Sequence, residues 1–535
     1  MNKIFLCAAA LCAASFTGTV RAGGFLTNTN QGALFLRFPA QEAMFTVESA
    51  YYGPGAIGFL APGWHLGLNN QSAFQTRTAV TTFKPFAAGQ GPFFLGEGGN
   101  GVTSRRYRGT ASAPIIPGVD VAYVRDRWFG SFHFGVVGGG GKATFEKGLG
   151  SFESVVAVMP SALNAITKAM GLGNLVENNY SMDSYMRGSQ YYLGAQIGLG
   201  YRFNDHFAAS IGGRLVYATS NYKGYVHNIL LSPAENKLTE KGALQAGVPT
   251  DVNTLIAALN EKLPAAARPS MMGLASMVSS IDVNCDQKGW GFAPIVGLAY
   301  ENGALRLAAR YEFKTRLRLK NSSNVTAQRT KLLQNLAEFE DGRKVDGDIP
   351  ALLGVGVAYD FTPRFRAAIS AHYFFDKDTK QFGNRQNRLE GNTWEVLAGV
   401  EYDITDRLTA SLGGQSTNYG LGKNMDFVSD LSFVTSSYSL GGGVKVKLSE
   451  KVDLNLSYFK TFYYSATKEQ ANFNGIGSTM GRITAWTQQS GIINEAQAAA
   501  IMHETQLATE AGAFRSTERF DRTNDVLGVG VNIHF

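Results

Sequence analysis

Residues able to do covalent or metal chemistry are few in this sequence, and their spacing does not suit it. His503-Glu504 is followed by Leu507 where a zinc-binding His-Glu-x-x-His helix needs its second histidine. No Gly-x-Ser-x-Gly turn offers a nucleophile. Gly138, Gly139, Gly140 and Gly141 run into Lys142, but Ala143 stands where a phosphate loop needs Ser or Thr, and Val136 where it needs its first glycine. The seven histidines are scattered, and Cys285 is isolated. The sequence therefore suggests no catalytic residue, no metal site and no cofactor, and it reads as a non-enzyme. What it offers is physical. Four successive glycines remove every side chain from a stretch of wall, and in a strand interior glycine marks a bend or a close approach. Long apolar and methionine-rich faces offer adaptable contact to greasy ligands.

The elements that must position these features are strands. The chain has 535 residues with 62 glycines, 35 phenylalanines and 22 tyrosines, and only 17% of it is charged. Disordered and nucleic-acid-binding chains carry denser charge. The N-terminus reads as a secretory signal over residues 1–22, with Lys3, an apolar stretch over 4–16 and Val20-Arg21-Ala22 at the cleavage site. It contains Cys7 and Cys12, so the mature chain keeps Cys285 alone and no internal disulfide is expected. Removing Lys3 and Arg21 takes the net charge from +7 to +5, which gives no case for a nucleic-acid partner.

Strict alternation dominates the rest. Leu527, Val529, Val531, Ile533 and Phe535 oppose Gly528, Gly530, Asn532 and His534. Leu193, Ala195, Ile197, Leu199, Tyr201 and Phe203 oppose Gly194, Gln196, Gly198 and Arg202. Successive side chains on a strand point to opposite faces, so one face is greasy and the other small or polar. Fourteen such segments fall between residue 64 and residue 535. Tight turns, such as Asn204-Asp205-His206 and Thr405-Asp406-Arg407, alternate with long connections, the largest over 144–185, 225–287 and 467–521. Short turns on one side, long loops on the other and an even strand number describe an all-β membrane protein, a 14-stranded antiparallel outer-membrane β-barrel over residues 63–535. Aromatics beside the short turns (Tyr123, Trp128, Phe203, Phe207, Tyr359, Phe361 and Phe365) suit an interfacial girdle. The short turns then face the periplasm. Residues 23–62 precede the first strand on that side and carry Leu34, Phe35, Leu36, Phe38, Met44 and Phe45, too greasy for a free tail, so they are expected to plug the lumen.

This order of elements resembles the FadL family of outer-membrane transporters of long-chain fatty acids and other hydrophobic compounds. Gly23-Gly24-Phe25 looks like the family's mature start. The segment from Glu48 to Gly55 looks like the hatch motif ending Asn-Pro-Ala, with Gly53 and Gly55 in place of its Asn and Ala around Pro54. The stretch from Ala113-Pro114 to Phe145 is similar to the second and third strands. Gly289-Trp290-Gly291-Phe292 is similar to the start of strand six, and Asp348-Ile349-Pro350 to that of strand eight. The resemblance implies a barrel closed by an N-terminal hatch, a ligand groove between helical extracellular loops, a lumen pocket and sideways release at a kink in strand three.

Under that resemblance the lateral opening falls on Gly138, Gly139, Gly140 and Gly141. A helical face in 144–185 carries Val155, Met159, Leu163, Ile166 and Met170, and another in 225–287, capped by Thr250, carries Leu255 and Leu259. With Met271, Met272, Leu274 and Met277 these would line the loop groove. An Ala-rich helix near 493–508 reads as structural. Gly224 stands where the family's basic residue on strand five would fall, so Lys223 beside it and Lys380 near strand nine are the candidates for meeting a carboxylate. The expected partners are a hydrophobic ligand such as a long-chain fatty acid, outer-membrane lipid and, during biogenesis, the barrel-assembly machinery, with the chain a monomer in the outer membrane of a Gram-negative bacterium. Alternatives are an aromatic-hydrocarbon transporter on the same fold, a general porin and a surface adhesin.

Overall fold

A computed structural model describes residues 27–94, 100–236, 239–240, 244–261, 265, 268–269, 280–326, 334–430 and 433–535. The signal segment, Gly23, Gly24, Phe25, Met271, Met272, Leu274 and Met277 lie outside the described residues.

Fourteen antiparallel strands form one closed ring. They are β1 (Gly63–Phe83), β2 (Ser104–Arg125), β3 (Trp128–Phe145), β4 (Ser181–Arg202), β5 (Phe207–Leu231), β6 (Ile281–Asn302), β7 (Leu305–Glu312, continued by Arg318–Ser323), β8 (Lys344–Asp346, continued by Leu352–Thr362), β9 (Phe365–Phe374), β10 (Thr393–Asp403), β11 (Leu408–Asn418), β12 (Ser437–Ser449), β13 (Val452–Tyr463, continued by Ala466–Gln470) and β14 (Ser516–His534). The ring closes where β14 pairs with β1, from His65↔His534 to Phe83↔Ser516. Among the described residues every strand has a ladder partner on each side along part of its length, as a bilayer demands because unpaired backbone groups find no water there. Among the described residues no helix is long and apolar enough to cross a membrane.

Period two governs every wall. On β6 the outward positions Trp290, Phe292, Pro294, Val296 and Leu298 are exposed, while Gly291, Ala293, Ile295, Gly297 and Ala299 between them are buried. Trp64 stacks against Tyr123 and Trp128 meets Tyr201 beside the short turns, where the girdle was expected. At the long-loop end, α3 (Gly150–Ala157), α4 (Met159–Ala169), α5 (Val252–Asn260), α6 (Ile476–Gln489) and α7 (Glu495–Glu510) cover the barrel. The single helix expected over Phe152–Met170 is two: Val158 ends the first, and Pro160 sits in the opening turn of the second, where its missing N–H costs nothing. The cap of α5 is Asp251, whose side chain accepts from the Asn253 N–H, and not Thr250, which pairs with Leu231.

Residues 27–60 lie inside the ring. They form α1 (Ala33–Arg37), α2 (Ser49–Tyr52) and a 3-10 turn (Pro54–Phe59). Inward-facing glycines make room for them. A Cβ at Gly399 would touch the Phe38 ring, one at Gly356 the Glu42 side chain and one at Gly297 Pro54. The glycines that depart from the hatch motif have the same cause. A Cβ at Gly53 would strike the Glu42 carbonyl, and one at Gly55 would press on the backbone of β6.

Candidate functional site

Among the described residues the longest interruption of the ladder lies between β2 and β3; a shorter one separates Lys288↔Lys320 from Ile295↔Glu312 between β6 and β7. β2 and β3 pair at Gly109↔Phe145 and Thr110↔Thr144, then not again until Val119↔Phe134. Between these points residues 111–118 and 135–143 face each other without a ladder. Two features of the sequence cause this. Pro114 and Pro117 have no N–H to give, so this stretch of β2 cannot pair on both sides. Opposite them, β3 shifts register against β4 twice, between Val136 and Gly138 and again between Gly138 and Gly141. Gly139 and Gly141 sit at φ +94° and +67°, where a side chain is strained. All four expected glycines lie in β3 at this break. Ile115, with 75% of its surface exposed, stands at the outer lip.

The carbonyls that β2 leaves unpaired are taken from inside. The Asn28 N–H donates to the Val137 oxygen at 2.8 Å, its Nδ2 to that of Val136 at 2.8 Å, and Gln31 Nε2 to Val136 at 3.1 Å. Thr27 also bridges to Gly138. The break is thus sealed by the N-terminal segment, which replaces hydrogen bonds that hydrocarbon could not supply.

A cavity of about 330 Å³ lies behind the break. The side at the break carries Ala111, Ala113, Ile116, Val136, Gly139, Gly141 and Leu193, interrupted by Asn28, Asn30, Ser112 and Lys142. The far side, from β10 to β14, is mostly polar and carries Glu395 and, at its end, Arg522. Arg522 is 7% exposed, stacks over Tyr463 at 4.7 Å and donates from one terminal nitrogen to Gln75 at 2.9 Å. Its buried Nε has no hydrogen-bond partner, and among the described residues no carboxylate lies within ion-pair distance of it. A second cavity of about 200 Å³ lies toward the short turns, among Leu34, Arg37, Thr46, Leu60, His65 and Asn455.

Charge fixes the N-terminal segment between these cavities. Arg37 meets Glu401, which Arg366 also holds at 2.7 Å. Glu42 meets His372 Nε2, while His372 Nδ1 lies 2.9 Å from Glu395. Each histidine nitrogen faces a carboxylate, and all three side chains are at most 2% exposed. The Tyr51 ring is sandwiched between Arg214 at 4.7 Å and Arg310 at 4.5 Å. Tyr52 accepts from the Gln31 N–H and donates to the Thr29 carbonyl, tying the first turns of the segment together. Glu48, expected in the hatch, is buried in the same interior.

The other expected positions are placed differently. Val155, Met159, Ile166, Leu255 and Leu259 are buried in one apolar cluster with Phe83, Phe152, Phe473 and Trp486, and Leu163 and Met170 pack against it. These faces close on one another and leave no open groove among the described residues. Beneath them the buried Glu153 carboxylate accepts from Arg105 at 3.2 Å and Tyr180 at 2.6 Å, and burial holds its pKa above the ordinary value. Stability contributed by its neutral form is present below the ordinary carboxyl range and is lost as pH rises through the raised value. Protease sensitivity of the loops is therefore expected to increase with pH above about 4.5, and Glu153→Gln should flatten that dependence. Lys223 and Lys380 do not reach the cavity. Lys223 is exposed between the buried Tyr222 and Gly224, on the outward parity of β5, and Lys380 is exposed beyond the end of β9. Two cations line the pocket, the exposed Lys142 beside the break and the buried Arg522, on the inward parity of β14 two positions before Asn524 and four before Val526.

No protein-family model matches the chain, and no curated protein matches it. Solved structures do. The crystal structure of a Pseudomonas aeruginosa FadL homologue aligns over 97% of this chain and 100% of that one, with 13% identity and a TM-score of 0.56. That of the P. putida toluene transporter TodX aligns over 92% and 94%, with 13% identity and a TM-score of 0.49. The chain therefore has the fold of the FadL homologue, a 14-stranded barrel of the outer-membrane type, as its sequence led us to expect.

Proposed function

We propose that the protein carries hydrophobic small molecules across the outer membrane, with residues 23–62 as a hatch in the barrel of 63–535, and releases them sideways between β2 and β3. The observation that carries this reading is the pairing gap at 111–118 and 135–143 with a cavity directly behind it. A water-filled pore would need no hole in its wall, whereas a lipid-soluble cargo leaves most cheaply into lipid. The hatch holds the gap shut through Asn28 and Gln31, so a shift of the hatch opens both the seal and the pocket. Movement of Gly23, Gly24 and Phe25 would be part of that shift.

The cargo best supported is a long-chain fatty acid. The apolar lining is concentrated at the break, where Ile116, Val136 and Leu193 lie, although Lys142 stands there too, and the far wall is mostly polar, so an amphiphile fits it with its tail toward the gap and its head toward the buried Arg522. A buried guanidinium with a spare N–H supports an anionic head, since charge-assisted hydrogen bonds are the strong ones. A fluorescent long-chain carboxylate bound to the purified protein tests this. Displacement by palmitate should be much better than by hexadecanol or toluene. Arg522→Gln should weaken palmitate about tenfold or more, the loss of ~1.5–3 kcal/mol expected for a hydrogen bond to a charged group, while leaving hexadecanol unchanged. Equal displacement by toluene and palmitate would favour an aromatic hydrocarbon instead.

A further inference from the structure

We propose that the outward face of β6, β7 and β8 at the long-loop end is a seat for the phosphorylated glycolipid of the outer leaflet, held by Lys288, Lys320 and Lys344. The starting point is register. Lys288 pairs directly with Lys320, and Lys320 directly with Lys344. Three ammonium groups thus stand side by side on three neighbouring strands, spaced about 4.8 Å apart in the hydrogen-bonding direction. Like charges directly opposite each other destabilise a ladder. All three side chains are exposed, and among the described residues none has an acidic partner within ion-pair distance. The acids nearby are committed elsewhere. Asp346 lies 3.5 Å from Arg318, and Asp286 accepts from Asn221 at 2.8 Å.

The stripe continues along β7. Its sequence from 314 to 320 alternates Lys-Thr-Arg-Leu-Arg-Leu-Lys. Leu317 and Leu319 are buried inward, while Arg316, Arg318 and Lys320 are exposed outward. The cations therefore face away from the lumen and its cargo.

Height decides what covers them. The outward apolar run of β6 extends over ten residue steps, from Tyr300 to Trp290, roughly 25 Å along the membrane normal at the usual rise and tilt. That is the height of the hydrocarbon band. Trp290 (63% exposed) and Phe292 (58%) mark its upper edge, and Lys288 is the next outward residue. The three lysines stand where lipid head groups begin, on the outer side. There the chemistry that complements three unpaired ammonium groups above an aromatic belt is a head group bearing more than one phosphate on a lipid anchor.

The test uses the full-length protein in a non-ionic detergent, with its unfolding temperature read from heat-modifiable gel mobility. Bis-phosphorylated lipid A should raise that temperature by several degrees. Dephosphorylated lipid A and inorganic phosphate should not. The variant K288Q/K320Q/K344Q should lose the rise, and K288R/K320R/K344R should keep it. The short-turn control R364Q/R407Q/K451Q should also keep it. The same gel shows whether each variant has folded. The proposal is overturned if lipid A leaves the native protein unchanged, if the glutamine variant keeps the rise, or if dephosphorylated lipid A or phosphate alone reproduces it.

Discussion

Gly141→Trp is expected to cut uptake of a long-chain cargo by about tenfold or more, because a bulky apolar constriction gates a narrow path. The position suits the test. A Cβ at Gly141 would meet no described atom within 4 Å, so an indole there enters the gap and cavity without displacing the wall. The residue sits at φ +67°, a strain of roughly 1–2 kcal/mol for a side chain. Gly141→Ala carries the same strain without the bulk and should transport within about twofold of the native protein. Gly139 is the poorer choice, since a Cβ there would strike the Gln190 backbone. The rival route runs straight down, past the small cavity near Arg37. Thr46→Trp would fill that cavity and block a straight path while leaving a lateral one open. Uptake of labelled palmitate into cells, normalised to folded protein, separates the two. Normal uptake by Gly141→Trp with loss in Thr46→Trp would end the sideways reading.

What could be read from the sequence follows from where period two is enforced. Lipid outside and a packed lumen inside force alternation, so strands were legible wherever both conditions hold. Beyond the bilayer both faces of a strand meet polar surroundings and the alternation fades. That is why β5 runs on to Leu231, past its expected end at 224, and why β14 begins at Ser516 and not at 523. The second error hid Arg522. Once β14 is extended, the parity of Gly530, Gly528 and Val526 carries inward through Asn524 to Arg522. Lys223 falls on the outward parity by the same rule, since Tyr222 and Gly224 hold the inward positions. The glycine run was legible as a weak wall, but half of the break was not read from it. Pro114 and Pro117 lie in what looks like a central strand, which is itself the signal that pairing fails there. The partners of the hatch could not be read at all. Glu42 finds His372 across 330 residues of chain, and no local pattern encodes that meeting.

Deleting residues 23–62 is expected to turn a nearly silent barrel into an open pore, with single-channel conductance in planar bilayers rising by at least about tenfold. The barrel should survive. Its ladder closes through β14 and β1, and its outward apolar band owes nothing to the hatch. The lumen would be left with Arg214, Arg310, Glu312, His372, Glu395 and Glu401, but water would enter with the loss of the plug and solvate them. A single substitution is worse placed than a deletion. Glu42→Ala removes one of the two carboxylates from His372 while the hatch still excludes water; Glu395 keeps its contact, so the cost is a fraction of the roughly 3–5 kcal/mol of a fully broken buried pair. That cost falls only on the docked state, so it moves the balance toward an undocked hatch. Glu42→Ala should therefore flicker, with brief openings reaching the level of the deletion. Glu42→Gln, which can still accept from His372, should open less often. A deletion variant as silent as the native protein would mean that the loop helices α3–α7, and not residues 23–62, close the barrel. In that case the Asn28 and Gln31 seal at the β2–β3 break could not be the gate.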